Sequence, residues 1–362
     1  MAISTSETIL PRSISGPALK AVDGNRTIER KTRPVFVVGC HRSGTNLLYD
    51  TLLSAGGFAV YRGYLPVYKM LVPRFGSLAT RENRKKTLAA WIRSKGFRRS
   101  GMDAEQLRGK VLDECRTAGE FIRIVMGGIA RKQSVARWAL YDPDNLLYIP
   151  RIREELPEAL FVHIIRDGRD VALSLSTMRG FRPFPWNQKP QGLVPTALYW
   201  EWMVRQGRQH GLRVPADYLE VRYEELVCDP RGTCIKLGEF LDHDLNYDRI
   251  QQASLGSLRQ SNSSFLEDSE RKTSIERWRS KLSDWDVNSL EAVIGGYLRE
   301  LGYPLSSAAQ ALKPGLREKL MRALYFKLLN TKFWLKTQTP AGRLTNLGAL
   351  EISESPEPPE AE

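Results

Sequence analysis

The sequence has few of the residues that build metal centres and disulfide frameworks. Its 362 residues include only four cysteines and four histidines. The cysteines form no C-x-x-C pair and no histidine stands at metal-ligand spacing beside them, which excludes zinc-finger and disulfide-scaffold classes. We therefore predict no metal site and expect the thiols to be reduced.

The sequence also lacks a long uncharged apolar run, and its N-terminus has no basic start followed by an apolar stretch. These absences predict a cytoplasmic protein without a membrane span. Lysine and arginine total 54 against 41 acidic residues, a formal net charge of +13. That balance favours anionic partners, but motifs for nucleic-acid binding are missing, so we expect no specific nucleic-acid partner.

Short apolar runs alternate with helical patterns along the chain. VFVV at residues 35–38 and LFVHII at 160–165 are typical of strands buried on both faces of a sheet. A later strand is predicted at 214–221, and helical patterns cover residues 107–115, 121–132, 146–156 and 194–211. This alternation predicts an α/β fold with a P-loop-like parallel β-sheet flanked by helices.

Composition divides the chain into four parts. Residues 1–33 are predicted to be a flexible arm, 34–304 one large domain, 305–350 a basic helical extension and 351–362 an acidic disordered tail. The segment 314–335 predicts an amphipathic helix. We favour packing of this helix on the domain, and peripheral contact with an anionic membrane is the alternative.

The segment GCHRSGTN at residues 39–46 joins the first strand to a helix. Backbone N–H groups and the positive end of the helix point at one spot there, and they stabilise an anion. Gly44 permits close backbone approach, Arg42 can bind a phosphate bidentately, and Ser43 and Thr45 add hydroxyl donors. The sequence therefore predicts a phosphate-binding loop.

A second polar segment, RDGRDVALS, follows the second buried strand. Arg166 is expected at the carboxyl end of that strand and Ser174 on the following helix, which Asp170 is predicted to cap. Thr45 and Asn46 of the first loop stand where ATP-hydrolysing loops carry a lysine and a metal-binding hydroxyl residue. Magnesium-dependent ATP hydrolysis is therefore disfavoured, and two separate phosphate sites are predicted.

CHRSGTNLL and HIIRDGRDVALS resemble the two cofactor-binding motifs of the sulfotransferase family. The resemblance implies 3′-phosphoadenosine 5′-phosphosulfate (PAPS) as co-substrate, without a metal. It implies 5′-phosphosulfate contacts from Arg42, Ser43, Gly44, Thr45 and Asn46, and 3′-phosphate contacts from Arg166 and Ser174. YEEL, NSSF and RWR resemble later segments and extend the likeness over residues 34–303. Arg277 is carried over as a further phosphate contact, with Arg271 and Lys272 as alternatives.

The resemblance implies a sulfotransferase that moves a sulfuryl group to a hydroxyl or amine by in-line displacement. The acceptor would be a small molecule, a lipid or a carbohydrate. Two alternatives remain open. One is a PAPS- or PAP-binding protein that has lost transfer chemistry and acts as a partner or sensor, and the other is a P-loop kinase.

The usual catalytic side chains of the family are replaced in this sequence. Tyr64 and Tyr141 stand near the positions where relatives carry a glutamate and a lysine. Our catalytic candidates are Arg42 and His41, and the substitute bases left open beside them are Glu120 and Asp142. The acceptor pocket is expected from the loops 58–75 and 181–191.

Overall fold

The computed structural model describes residues 29–178, 181, 192–253, 274–306 and 315–351. Its strands are β1 (Val35–Gly39), β2 (Phe58–Ala59), β3 (Arg137–Tyr141), β4 (Leu160–Ile165) and β5 (Tyr218–Arg222). They form one sheet in the order β2-β3-β1-β4-β5, and every pairing is parallel. The predicted α/β fold with a parallel, helix-flanked sheet is confirmed.

The α-helices of the described residues connect these strands and cover both faces of the sheet. They are α1 (Thr45–Ser54), α2 (Val72–Phe75), α3 (Arg81–Ile92), α4 (Lys95–Ser100), α5 (Ala104–Glu114), α6 (Ala118–Lys132), α7 (Ile149–Glu155), α8 (Gly168–Ser176), α9 (Leu193–Gly211), α10 (Tyr223–Cys228), α11 (Pro230–Leu241), α12 (Tyr247–Ala253), α13 (Trp278–Lys281), α14 (Asp284–Glu300), α15 (Leu316–Gln338) and α16 (Gly348–Glu351).

The central strands are apolar on both sides because helices cover both faces. In β1, Phe36 and Val38 join one buried cluster, whereas Val35 and Val37 join the other, as the two-residue period of a strand requires. The register pairs Gly39 of β1 with Ile164 of β4. The segments that follow these two strands therefore leave the same edge of the sheet side by side.

Four elements differ from the sequence prediction. β2 and β3 were not predicted, and β3 begins with the charged Arg137, whose buried guanidinium donates to the carbonyls of Arg33 and Leu241 at 2.7 and 3.0 Å. The predicted helix 146–156 is a 3₁₀ turn, Pro143–Tyr148, followed by α7. The predicted strand 214–221 begins only at Tyr218, because Pro215–Asp217 form another 3₁₀ turn.

The ends of the chain are partly covered by the described residues. Arg33, inside the predicted arm, is buried and its Nη2 lies 2.8 Å from Asp217 Oδ1, so packing begins before the predicted boundary at residue 34. Residues 1–28 and 352–362, which hold most of the predicted arm and tail, lie outside the described residues. The four-part division itself stays a prediction.

The C-terminal helix α15 packs on α9. Arg322 binds the buried carboxylate of Glu201 through Nε and Nη2, at 3.0 and 2.6 Å, and Trp202 Nε1 donates to Asn330 Oδ1 at 2.8 Å. The helix therefore packs on the domain, which is the interpretation favoured from the sequence. Its other face leaves Leu320 and Leu324 exposed. Within the described ranges, no helix is long and apolar enough to cross a membrane.

Candidate active site

The predicted phosphate loop lies between β1 and α1, with its backbone held in an unusual conformation. Gly44 has φ 95°, and a Cβ atom on it would meet Tyr223 Cδ2 at 2.4 Å, so only glycine fits there. The first hydrogen bond of α1 runs from Leu48 N–H to the Gly44 carbonyl at 3.1 Å. The N–H groups of the first turn before Leu48 are therefore not used inside the helix and can bind an anion.

Two side chains of the loop extend this anion site. Arg42 also has positive φ, 71°, and its Nε donates to Ser174 Oγ at 2.8 Å. Ser43 is fully buried, and its Oγ has no hydrogen-bond partner among the described residues. A buried hydroxyl without a partner is costly unless a ligand completes its hydrogen bonding, so Ser43 fits a phosphate-binding role.

Arg166 stands at the end of β4 beside the loop. Its Nη1 donates to the Arg42 carbonyl at 3.3 Å, and its guanidinium lies over the Tyr223 ring, 4.2 Å from the centroid. Its Nη2 also donates to the Ser274 carbonyl, and Nε has no partner in the part of the chain that the structure describes. Arg42, Ser174 and Arg166 therefore lie together, as the sequence predicted.

The electrostatics of this cluster favour an anion. Burial lowers the pKa of Arg42, and the neighbouring charges of Arg166 and Arg277 lower it further. Burial and like charge both disfavour the charged form of Arg42, and a bound anion would stabilise that form. Arg277 is exposed and near Arg42, and Asn46 is exposed on the first turn of α1. The alternatives Arg271 and Lys272 lie outside the described residues.

The segment after Arg166 is buried rather than a solvated turn. Asp167, and not Asp170, caps α8, with Oδ1 accepting from Arg169 N–H at 2.8 Å. Asp170 instead accepts from Trp278 N–H at 3.0 Å. This corrects the predicted cap, because the buried Trp278 N–H needs an acceptor and Asp170 faces it. The bond fixes the segment that carries Arg277.

On the other side of the loop, His41 joins two residues that the sequence interpretation missed. Its Nε2 lies 2.9 Å from Asp144 Oδ2, and Lys69 Nζ donates to the same oxygen. Asp144 follows β3, the neighbour of β1 in the sheet. Lys69 lies on a π-helical turn, Val67–Leu71, a local distortion that is frequent at functional sites. The three side chains form a charged cluster beside the phosphate loop.

Burial and ion pairing have opposite effects on the charge states of this cluster. Burial favours neutral Asp144, but Lys69 and His41 outweigh it and hold the pKa of that carboxyl well below its usual range. Burial likewise opposes the charge of Lys69, but Asp144 outweighs it and raises the Lys69 pKa. Asp142 differs: burial first, and then the Asp144 charge, raise its pKa to about 6. Asp144 is thus the ionised partner of His41 at neutral pH.

Glu120 and Asp142, the substitute bases proposed from the sequence, have different hydrogen-bond partners. Glu120 is used in capping α6, since its Oε2 accepts from the N–H groups of Arg116 and Thr117 at 2.5 and 3.1 Å. These are the hydrogen bonds of a helix cap, and the role of Glu120 as a base stays a prediction. Asp142 is buried beside Asp144 and accepts from the Asp144 N–H at 3.2 Å. It orients the loop that carries Asp144.

The two tyrosines at the replaced family positions differ in environment. Tyr64 hydrogen-bonds Lys69, and burial raises its pKa far above the usual value. Tyr141 packs against Tyr49 with ring centroids 5.0 Å apart. Neither is ionised near neutral pH, so neither serves as a base in the free protein.

A cavity of about 290 Å³ opens beside the charged cluster. His41, Lys69 and Asp144 line one part of it, and the remaining lining residues are aromatic, aliphatic or basic: Leu147, Tyr148, Met178, Phe181, Tyr199, Trp202, Leu329, Lys332, Phe333 and Lys336. Lys69 and Phe181 come from the two loops predicted for the acceptor pocket, and residues 182–191 of the second loop lie outside the described residues. In the described ranges, no cluster of histidine, cysteine and carboxylate residues could hold a metal ion.

The missed residues had weak sequence signals. Lys69 is a lone charge inside the apolar run VYKMLV, and Asp144 lies in DPD after a strand that was not predicted. A strand at 137–141 would have located Asp144 at the carboxyl edge of the sheet. Lys332 and Lys336 had no local signal, because only the packing of α15 brings them to the cavity.

Comparison with known proteins gives one family match. The sulfotransferase family model matches residues 34–247. No curated protein matches the sequence significantly. Similar solved structures include the sulfotransferase domain from the curacin biosynthetic pathway, with 16% identity and TM-score 0.49, covering 75% of this chain and 98% of that one.

Two further structures are similar at comparable levels. Sulfotransferase STF1 from Mycobacterium tuberculosis has 18% identity and TM-score 0.37, covering 68% of this chain and 76% of that one. Mouse sulfotransferase SULT7A1, solved in complex with PAP, has 12% identity and TM-score 0.42, covering 77% of this chain and 87% of that one. The family match spans more than half of the sequence and includes the strand, loop and helix described above. The chain belongs to the sulfotransferase family.

Proposed function

We propose that the protein transfers the sulfuryl group of PAPS to a hydroxyl acceptor by in-line displacement. The observation that carries this proposal is the meeting of two anion-binding groups at the ends of adjacent strands. Arg166 Nη1 after β4 lies 3.3 Å from the carbonyl of Arg42 in the loop after β1. A nucleotide with phosphate groups on both its 5′ and 3′ sides fits such a pair of sites.

The residues present fit this co-substrate. The amides of the first turn of α1, Ser43 Oγ and the Arg42 guanidinium would hold the 5′-phosphosulfate, and Arg166 with Ser174 would hold the 3′-phosphate. The unpartnered Ser43 Oγ and Arg166 Nε support the assignment, since each is a buried donor whose hydrogen bond a phosphate oxygen can complete. Arg277 adds charge at the rim. When bound, PAPS supplies the sulfuryl group and a bisphosphate leaving group.

His41 is the general base in this proposal. Asp144 accepts the Nε2 proton of the neutral ring, which leaves the Nδ1 lone pair to take the acceptor hydroxyl proton. The ionised Asp144 also stabilises the imidazolium that forms, as the carboxylate does in other histidine-carboxylate pairs. A base oriented in this way removes the proton while the acceptor oxygen bonds to sulfur.

Lys69 is proposed to support the same step by stabilising the leaving group. Its ammonium group is held beside His41 by Asp144, and burial around it strengthens electrostatic effects. Negative charge grows on the oxygen that leaves sulfur, and preorganised positive groups near that oxygen lower the barrier. Arg42 of the loop and Lys69, which shares Asp144 with His41, would provide them.

Calorimetry tests the nucleotide part of the proposal. Adenosine 3′,5′-bisphosphate (PAP), 5′-AMP, and ATP with Mg²⁺ are titrated separately into the full chain. We expect PAP to bind most tightly, because only PAP offers phosphate to both anion sites. ATP binding as tight as PAP binding would overturn the proposal and favour a kinase. Tight PAP binding without sulfation of any phenol, sugar or hydroxylated lipid in a PAPS assay would favour the binding-protein alternative.

A further inference from the structure

We propose that the acceptor carries an anionic group, which Lys332 and Lys336 of α15 bind while the acceptor hydroxyl lies at His41. This inference rests on the proposed function and names the chemical class of its acceptor. Both lysines lie beyond the residues that the family model matches, 34–247. The subsite is therefore a feature of this chain's C-terminal extension.

The cavity lining is rich in positive charge for an otherwise apolar pocket. The described lining of the cavity contains one carboxylate, Asp144, and three lysines: Lys69, Lys332 and Lys336. Asp144 is also bound to Lys69 and His41, so this one carboxylate cannot balance the charge of all three lysines. Groups of like charge around a partly buried cavity favour an occupant of the opposite charge.

The protonation of Lys336 supports this view. Burial lowers the pKa of Lys336 to about 8, and the charges of Lys69 and Lys332 act in the same direction while Asp144 opposes them. Burial thus disfavours the ammonium form of Lys336, and an anionic ligand would stabilise it. Lys332 is more exposed than Lys336, and we place it at the rim of the subsite.

The helix that carries these lysines is fixed against the domain. Besides the Arg322–Glu201 pair and the Trp202–Asn330 bond, Phe333 packs on Tyr148 with ring centroids 5.3 Å apart. A Cβ atom on Gly342 would meet the Lys336 carbonyl at 2.3 Å, so the chain after α15 folds back tightly on the turn that holds Lys336. A rigid support lets two lysines select a ligand without a large ordering cost.

The aromatic and aliphatic walls define the rest of the ligand. Tyr199 packs between Phe181 and Trp202, with centroid distances of 4.9 and 6.1 Å. Such walls favour an apolar or aromatic body. The acceptor class is therefore a hydroxylated aromatic or aliphatic molecule of modest size with one carboxylate, phosphate or sulfate group.

The test compares matched acids and amides on the full chain saturated with PAP, so that the phosphate loop cannot bind the probes. The pairs are 3-(4-hydroxyphenyl)propionate with its amide, and 8-hydroxyoctanoate with its amide. By calorimetry we expect the acid of at least one pair to bind about tenfold more tightly than its amide. The K332Q/K336Q double variant should reduce that preference to within about twofold, with PAP affinity unchanged.

Two variants control for general loss of charge and of structure. K319Q/K327Q removes the same charge from exposed positions of the same helix and should keep the preference. K332R/K336R keeps the positive charge and should also keep the preference for the acid over the amide. Equal binding of acid and amide in both pairs, or an acid preference that survives in K332Q/K336Q, would overturn this inference alone. Failure of the wild-type chain to bind PAP would overturn the proposed function and this inference with it.

Discussion

The proposed nucleotide side and the proposed acceptor side of the site are built in different ways. The nucleotide side comes from two continuous segments, each directly after a central strand, and much of it is backbone. The acceptor side gathers single side chains from a π-helical turn, a 3₁₀ turn, α9 and α15. The comparison teaches that the proposed donor site is built from local motifs, whereas the proposed acceptor site depends on tertiary packing.

The largest expected effect is on kcat and comes from a change at His41 that should leave donor binding intact. Replacing His41 with Gln should lower kcat roughly 100-fold or more, because a positioned general base contributes about that much. PAP affinity should stay within about twofold of wild type, since His41 serves the acceptor hydroxyl. Steady-state kinetics and calorimetry on the same preparations check both values. A fall in PAP affinity equal to the fall in kcat would place His41 on the nucleotide side instead.

The next variant should act on the nucleotide side. Replacing Arg42 with Ala removes a guanidinium aimed at the phosphosulfate and should weaken PAP binding roughly 100-fold, or about 3 kcal/mol. Replacing Arg42 with Lys keeps the charge without the planar fork and should recover part of the loss. Calorimetry gives both affinities. Wild-type affinity in the Ala variant would contradict the site.

A smaller effect should appear in the pH dependence of acceptor binding. Lys336 is charged below its pKa of about 8 and neutral above it. The preference of PAP-loaded protein for 8-hydroxyoctanoate over its amide should therefore fall about two- to threefold between pH 7 and pH 9, while the carboxylate stays ionised. In K336Q that decline should be absent. An unchanged decline in K336Q would assign the titration to another group, with Lys69, Lys332, Asp142 and Asp144 as its charged neighbours.

The smallest effect concerns Glu120, which belongs to neither side. Replacing Glu120 with Ala removes the acceptor for two N–H groups at the start of α6 and should destabilise the fold by about 1 kcal/mol. Its kcat should equal that of wild type, because the side chain caps a helix. Thermal unfolding and turnover measured together decide the matter. A loss of turnover without a loss of stability would return Glu120 to the list of bases.

The sequence alone determined the local structure of the proposed nucleotide side. β1, the loop at residues 39–46 and α1 follow one another without a break, and so do β4, Arg166 and α8 with Ser174. Strand periodicity, the need for glycine at positive φ and the N–H groups of a helix start are local properties. For that reason the parallel sheet and the cluster of Arg42, Arg166 and Ser174 could be predicted from the sequence.

Only the tertiary structure decided the acceptor side. Asp144 is ionised and paired with His41 because β3 lies next to β1, and a strand that starts with the buried Arg137 gave no clear local pattern. Lys332 and Lys336 reach the cavity because Arg322 binds Glu201 across the interface between α15 and α9. Such contacts join residues far apart in the chain, so their chemistry depends on packing and burial rather than on neighbours in sequence.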